Sequence, residues 1–173
     1  MFEVDSAPVL NLKDATAADA RPAARRVSVI ADLREDWLST LAAHGFDRRR
    51  PTAWVAEGLL PYLTPPQADA LLTTITAVSA PGSRFAGEYL SRPTRMTDLP
   101  MSDEQDRAVA NVFVSADQGG PDVEPEKWLS AHGWTGEQVD FADELAAAGH
   151  ELPALFDPAK PDPLRLWLFT GRL

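Results

Sequence analysis

The 173-residue chain contains no cysteine. That removes disulfides, thiolate nucleophiles and cysteine-based zinc or iron–sulfur centres. Histidine is scarce: His44, His132 and His150 are the whole complement. Each stands close to a glycine at an expected helix end ("AAHGF", "SAHGW", "AAGHEL"), where the helix dipole favours the ring. No two have the spacing of metal ligands, so all three read as structural and no metal site is expected. No apolar run approaches the ~18 residues a membrane helix needs. The first residues have neither the basic nor the apolar region of a secretory signal, so a cytoplasmic location is the expectation. Positive charge is also short, with 16 Lys and Arg against 26 Asp and Glu, a net charge of -10. Non-specific attraction to nucleic acid or to anionic membrane is therefore disfavoured, and neither is expected as a partner. The acidity names no partner of its own and reads as a solubility feature.

Hydrophobic residues make up 45% of the chain, enough for a sizeable core in one domain. Met1 to Val4 reads as a strand, with a turn at Ser6-Ala7-Pro8 and a short helix over residues 9–20. Val27 to Ile30 is a β-branched apolar run, hence a second buried strand. Asp36 caps a helix with Trp37, Leu38, Leu41 and Ala42 on its apolar face, stopped by Gly45. Thr52 to Ala56 is a third strand. Thr64, Pro65 and Pro66 open the clearest helix, with Leu71, Leu72, Ile75 and Val78 at helical spacing and Pro81-Gly82 at its end. Arg84 to Leu90 is a fourth strand. Helices are expected near Asp103–Val114, Pro125–His132 and Phe141–Ala148, and an alternating strand over Leu164–Thr170. Strand–helix alternation predicts an α/β fold, a mostly parallel sheet with right-handed crossovers, helices on both faces and a C-terminal antiparallel strand.

Three successive strands run into a carboxylate: Asp5, Asp32 and Glu57. In an open parallel sheet, ligands bind in the crevice outside the carboxyl ends of the strands. One acid there can accept two hydrogen bonds from a ribose diol. A second can accept from an adenine amino group, with an apolar neighbour such as Leu33 against the ring. A third can pair with an ammonium group. S-adenosyl-L-methionine offers all three moieties. The plainer alternative is that these acids are N-caps of the helices that follow.

"FEVDSAPVL", "VIADLREDW" and above all "RPTAWVAEGLLPYLTPPQADALLTTITAVSAPGSRFAGE" resemble the S-adenosylmethionine-dependent methyltransferases related to leucine carboxyl methyltransferase, closest to their actinobacterial branch. The likeness runs from Met1 to about Glu88, and "LRLWLFTGRL" resembles the family's closing strand. It implies a Rossmann-like methyltransferase fold with S-adenosyl-L-methionine as cofactor. Asp5 would hold the ribose hydroxyls, Asp32 and Leu33 the adenine, and Glu57 would lie near the methionine moiety. The acceptor is unknown, and a carboxylate is suggested by family analogy alone.

In that family "FEVD" is the second strand, behind a helical segment, a first strand and a glycine-rich loop. The resemblance thus implies a single methyltransferase domain over residues 1–173, shortened at its N-terminus and lacking that strand and loop. The expected consequences are marginal stability, self-association through unpaired strand edges, and weak or absent cofactor affinity. Two other readings stay open: a non-catalytic remnant that pairs with a partner chain, and a nucleotide-binding α/β enzyme unrelated to methyl transfer. Trp54, Trp128, Trp134 and Trp167 are expected in packing roles. Tyr62 and Glu88 are further pocket candidates. Arg48, Arg49 and Arg50 form a solvated run. No residue stands out as a general base, and positioning of the reactants can supply most of the catalysis of methyl transfer.

Overall fold

A computed structural model describes residues 1–17, 23–99 and 101–173. The last residues of the helix expected over 9–20 lie outside the described residues. The chain forms two compact units, Met1–Arg49 and Arg50–Leu173.

The first unit is a small β-α-β-α assembly: β1 (Phe2–Asp5), α1 (Ala7–Thr16), β2 (Val27–Ile30) and α2 (Trp37–Ala43). Pro8 falls in the first turn of α1, where its missing N–H costs nothing. Strands β1 and β2 pair in parallel, with Phe2 opposite Val27 and Asp5 opposite Ile30. Leu10, Val29, Trp37 and Leu41 are buried. Charge assists the packing: Lys13 and Arg26 both donate to Glu3, and Arg26 also donates to Asp14. This ties α1 to β1 through side chains that hold the Glu3 carboxyl below its usual range, the Lys13 contact most of all. Asp36 caps α2, accepting from the Ser39 N–H at 3.2 Å.

The second unit contains β3 (Ala53–Ala56), α3 (Pro65–Ala77), β4 (Arg84–Leu90), α4 (Glu104–Ala116), α5 (Pro125–Ala131), β5 (Thr135–Asp140), α6 (Phe141–Ala147) and β6 (Leu166–Arg172). Its sheet runs in the order β3-β4-β6-β5. β3 and β4 are parallel; β6 is antiparallel to both β4 and β5. The closing strand is antiparallel as expected, and the sheet is mixed. β5 was not expected, because "TGEQVD" has weak strand propensity. It forms because β6 offers a long partner, with Thr135 opposite Arg172 and Asp140 opposite Trp167. Gly136 is required there: a Cβ would lie 2.3 Å from the Leu129 side chain that fills its place.

Phe85, Tyr89 and Phe169 line one face of this sheet, Phe169 standing 5.3 and 5.8 Å from the other two rings, and they meet Trp128 and Trp134 of the α5 region at ring-centroid separations of 5.9 to 6.2 Å. Helix α3 closes the same face through Ala68, Leu71, Leu72 and Ile75, all buried. The indole N–H groups find partners, since burying a bare donor is costly: Trp128 donates to Asp69 at 2.7 Å, Trp134 to Thr76 at 2.7 Å and Trp54 to Ser79 at 2.8 Å. The Thr64 N–H is closed by the Gln67 side chain at 2.9 Å, which starts α3 cleanly. His44 and His132 bond back to the carbonyls of Thr40 and Trp128, each at 2.8 Å, as helix-end residues should.

The two outer strands of the larger sheet differ. β5 carries Glu137 and Asp140, charges that discourage further pairing. β3 reads "AWVA" and carries no charge, yet it ends the sheet, and Val55 is 71% exposed. Uncharged apolar strands of this kind ordinarily sit inside parallel sheets, covered on both faces.

Candidate functional site

Register alone brings two of the expected residues together. Asp5 and Ile30 are opposite one another in the parallel pair, so Asp5 and Asp32 both lie at the carboxyl end of the two-stranded sheet. The Asp5 carboxylate is partly exposed; its Oδ1 accepts the Ser6 N–H at 2.6 Å. Its Oδ2 takes no hydrogen bond among the described residues and remains available to a diol. Asp32 is differently occupied. Arg34 grips both its oxygens, through Nε at 2.9 Å and the terminal nitrogen at 2.6 Å, and the Arg34 backbone N–H donates at 2.9 Å. The guanidinium holds the Asp32 carboxyl down to about 2. Leu33, between them in sequence, is partly exposed. A ligand that uses Asp32 must therefore share it with Arg34 or displace Arg34. Replacing Arg34 by alanine is expected to return the Asp32 titration midpoint from about 2 towards the ordinary ~3.9, read by carboxyl-carbon NMR against pH. An unmoved midpoint would show that the backbone amide, not the guanidinium, sets it.

Glu57 belongs to the larger unit, just past β3, and is exposed. Its neighbour Gly58 has φ +61°, a left-handed conformation that favours glycine. The Gly58 N–H donates to Glu88 Oε1, which fixes the turn against the next strand. The "LLPYL" stretch that follows makes one turn of 3₁₀ helix at Leu60–Tyr62 and is held by residues 118–120: Gln118 N–H donates to the Pro61 carbonyl at 2.7 Å and Gly120 N–H to that of Leu63 at 2.9 Å. Tyr62 packs edge-on against Phe113 of α4.

A feature that the sequence reading missed is a cleft of about 440 Å³ where β4 ends and β6 begins, lined among others by Tyr89, Arg92, Asp122, Glu124, Arg165 and Trp167. The pairing of distant strands creates it, and no local motif signals it. Its two cations are already engaged. Arg92 forms a bidentate pair with Asp98 at 2.7 and 2.9 Å. Arg165 reaches Asp140 at 3.2 Å and lies over the Trp167 ring. The Tyr89 hydroxyl donates to the Val123 carbonyl at 2.7 Å. With both guanidiniums paired, the cleft is no ready receptor for a carboxylate. Among the described residues no cluster of His, Asp and Glu could hold a metal ion, and no helix is long and apolar enough to cross a membrane.

This topology, two parallel βα steps and a sheet closed by an antiparallel pair, is shared with Rossmann-like methyltransferases. The geranyl diphosphate C-methyltransferase of Streptomyces coelicolor A3(2) superposes with a TM-score of 0.61 at 13% identity, over 99% of this chain and 61% of that one. The sequence narrows the class: the leucine carboxyl methyltransferase family matches residues 1–76, so the resemblance stands. A Mycobacterium tuberculosis (strain ATCC 25177 / H37Ra) protein named "Putative S-adenosyl-L-methionine-dependent methyltransferase" is 38% identical over 100% of this chain and 56% of its own length. One of the same name from Mycobacterium avium (strain 104) is 45% identical over 85% of this chain and 50% of its own. The chain spans about half the length of the curated relatives it matches.

Proposed function

We propose that this chain forms part of an S-adenosyl-L-methionine-dependent methyltransferase. The observation that carries the reading is the parallel register placing Asp5 and Asp32 at one sheet end, in a sequence whose relatives bear that cofactor in their names. The donor set suits the cofactor. The open oxygen of Asp5 accepts from the ribose hydroxyls. Asp32, sharing its charge with Arg34, accepts from the adenine amino group while Leu33 packs on the ring. Glu57 pairs with the amino group of the methionine moiety. The cofactor supplies a sulfonium-activated methyl group, and the protein's part is to hold that group in line with the acceptor. No side chain is assigned as a base. A carboxylate acceptor rests on the family's name alone, and the paired arginines of the cleft do not add to it.

The uncharged edge of β3 supports a further element of the reading. A parallel strand and a glycine-rich loop complete the cofactor pocket, supplied by the same polypeptide or by another. Without them affinity is weak. The same edge also favours a second reading, a unit that associates with a partner chain without catalysing. Calorimetric titration separates these from an unrelated nucleotide enzyme: S-adenosylmethionine, and neither NAD nor ATP, is expected to give the stronger heat. Protection by NAD or ATP alone would overturn the methyltransferase reading.

A further inference from the structure

The register that ends at Ala56 opposite Gly87 sets the next residues, Glu57 and Glu88, side by side at the carboxyl end of the larger sheet. Like charges on neighbouring strands are unfavourable. Glu88 is also only partly exposed and lies opposite Leu168 on β6. A pair that breaks a local rule in this way points to a functional demand. The structure gives Glu88 one defined job: its Oε1 accepts the Gly58 N–H, across 30 residues of sequence. That N–H belongs to a left-handed residue at φ +61°, which most side chains avoid. A Cβ there would meet nothing within 4 Å, so crowding does not explain the glycine; the shape of the turn does. The carbonyl side of the same loop is strapped by residues 118–120, and Glu88 supplies the strap at its start.

We propose that Glu88 is a positioning residue: it holds the Glu57–Gly58 turn in its left-handed shape and so fixes where the Glu57 carboxylate meets the amino group of the methyl donor. The role rests on the proposed place of Glu57 in cofactor binding. Burial pushes the Glu88 carboxyl upward against the pull of the Gly58 N–H, and the neighbouring Glu57 charge adds a smaller upward push. Glu57 is the charged group whose field acts on it. The bond to Gly58 therefore changes character on acidification earlier than an ordinary glutamate would allow.

Two readouts test this on the full chain. The first needs no ligand. The Gly58 amide resonance is followed by NMR against pH. Its shift is expected to titrate with a midpoint above 4.5, the ordinary glutamate value. In Glu88→Gln the titration disappears while the low-field position stays, because the amide oxygen still accepts. In Glu88→Ala the low-field position itself is lost. A Gly58 resonance indifferent to Glu88→Ala overturns the proposal. The second readout is S-adenosylhomocysteine binding, carried to millimolar concentration. Glu88→Ala is expected to weaken it about tenfold, the worth of a hydrogen bond to a charged group, and Glu88→Gln by less than about threefold. The Glu57→Ala, Glu88→Ala double variant is expected to bind no worse than Glu57→Ala alone, because a residue that acts through Glu57 has nothing left to position. Additive losses contradict the role. Where the chain alone binds too weakly to compare, the same variants are measured in the chain co-produced with the remaining part of the Mycobacterium tuberculosis relative; no S-adenosylhomocysteine binding there sinks the cofactor reading by itself, and the Gly58 amide still decides whether Glu88 holds the turn.

Discussion

Replacing Asp98 by alanine is expected to cost the chain about 3 kcal/mol. Asp98 is 7% exposed and Arg92, its bidentate partner, 14%. Asp98 also accepts the Arg95 backbone N–H at 2.8 Å, and Arg92 donates to the Asp162 carbonyl at 2.8 Å. The pair thus ties the end of β4 to two loops. Deleting the carboxylate takes away both short bonds that a nearly buried guanidinium makes to it and leaves that charge only the longer pair with the Asp162 carboxylate at 3.2 Å, and the Arg95 N–H loses its acceptor. A domain's net stability is only about 5–15 kcal/mol, so the melting temperature should fall by on the order of 10 °C. Exchanging both partners for apolar residues, Arg92→Met with Asp98→Leu, should recover much of the loss, since no charge is then left unpaired. Arg92, and after burial the Arg95 N–H, hold the Asp98 carboxyl at about 2. A carboxyl depressed on folding contributes stability above its unfolded value of about 3.9 and loses it as pH falls towards about 2, roughly 2 kcal/mol in all. Chemical denaturation of the wild-type chain and the two variants between pH 7 and pH 2 checks both statements; a loss below about 1 kcal/mol for Asp98→Ala would show that solvent reaches the pair.

Val55→Lys is expected to change the assembly state. β3 ends its sheet without a charge, and Val55 is 71% exposed. Bare apolar edge strands are templates for pairing with another chain, and a lysine on such a strand opposes it. The chain by itself should self-associate, with a broad, concentration-dependent unfolding transition. Val55→Lys should shift it towards monomer by an order of magnitude or more in dissociation constant, because the new charge would have to be desolvated in the paired form. Since Val55 buries little in the isolated chain, the substitution should leave monomer stability within about 0.5 kcal/mol. Sedimentation velocity across a hundredfold concentration range is the check. A monomer with one sharp thermal transition at ordinary temperature contradicts the view that this edge is unsatisfied.

Much of this was legible in the residues, for reasons that differ by element. α3 was plain because Leu71, Leu72 and Ile75 repeat at helical spacing behind Thr64 and two prolines, and all three are buried. β2 and β4 were plain because β-branched or aromatic runs end at recognisable turns. β5 was not, since its strand state is imposed by β6 and its own residues argue against it. The placement of Asp5 and Asp32 at one sheet end followed from strand order and parallel pairing. The Arg34 grip on Asp32 could have been read from "ADLRED", where the arginine stands two residues on. The Gly58–Glu88 bond could not: it joins residues 30 apart, and only the register of β3 on β4 makes them neighbours. The cleft beside Trp167 is hidden for the same reason, being assembled from the ends of β4 and β6 and the loop before α5.

The most direct measurement is a calorimetric titration of S-adenosylhomocysteine into two samples. One is the chain alone. The other is the chain co-produced with the polypeptide that makes up the remaining part of the Mycobacterium tuberculosis relative. Weak or no heat is expected from the first. Micromolar binding is expected from the second, and at least tenfold weaker binding when Asp5 is replaced by asparagine, which takes one charged acceptor from the ribose. Tight binding by the chain alone, no binding by the completed sample, or an affinity indifferent to Asp5→Asn would contradict the account.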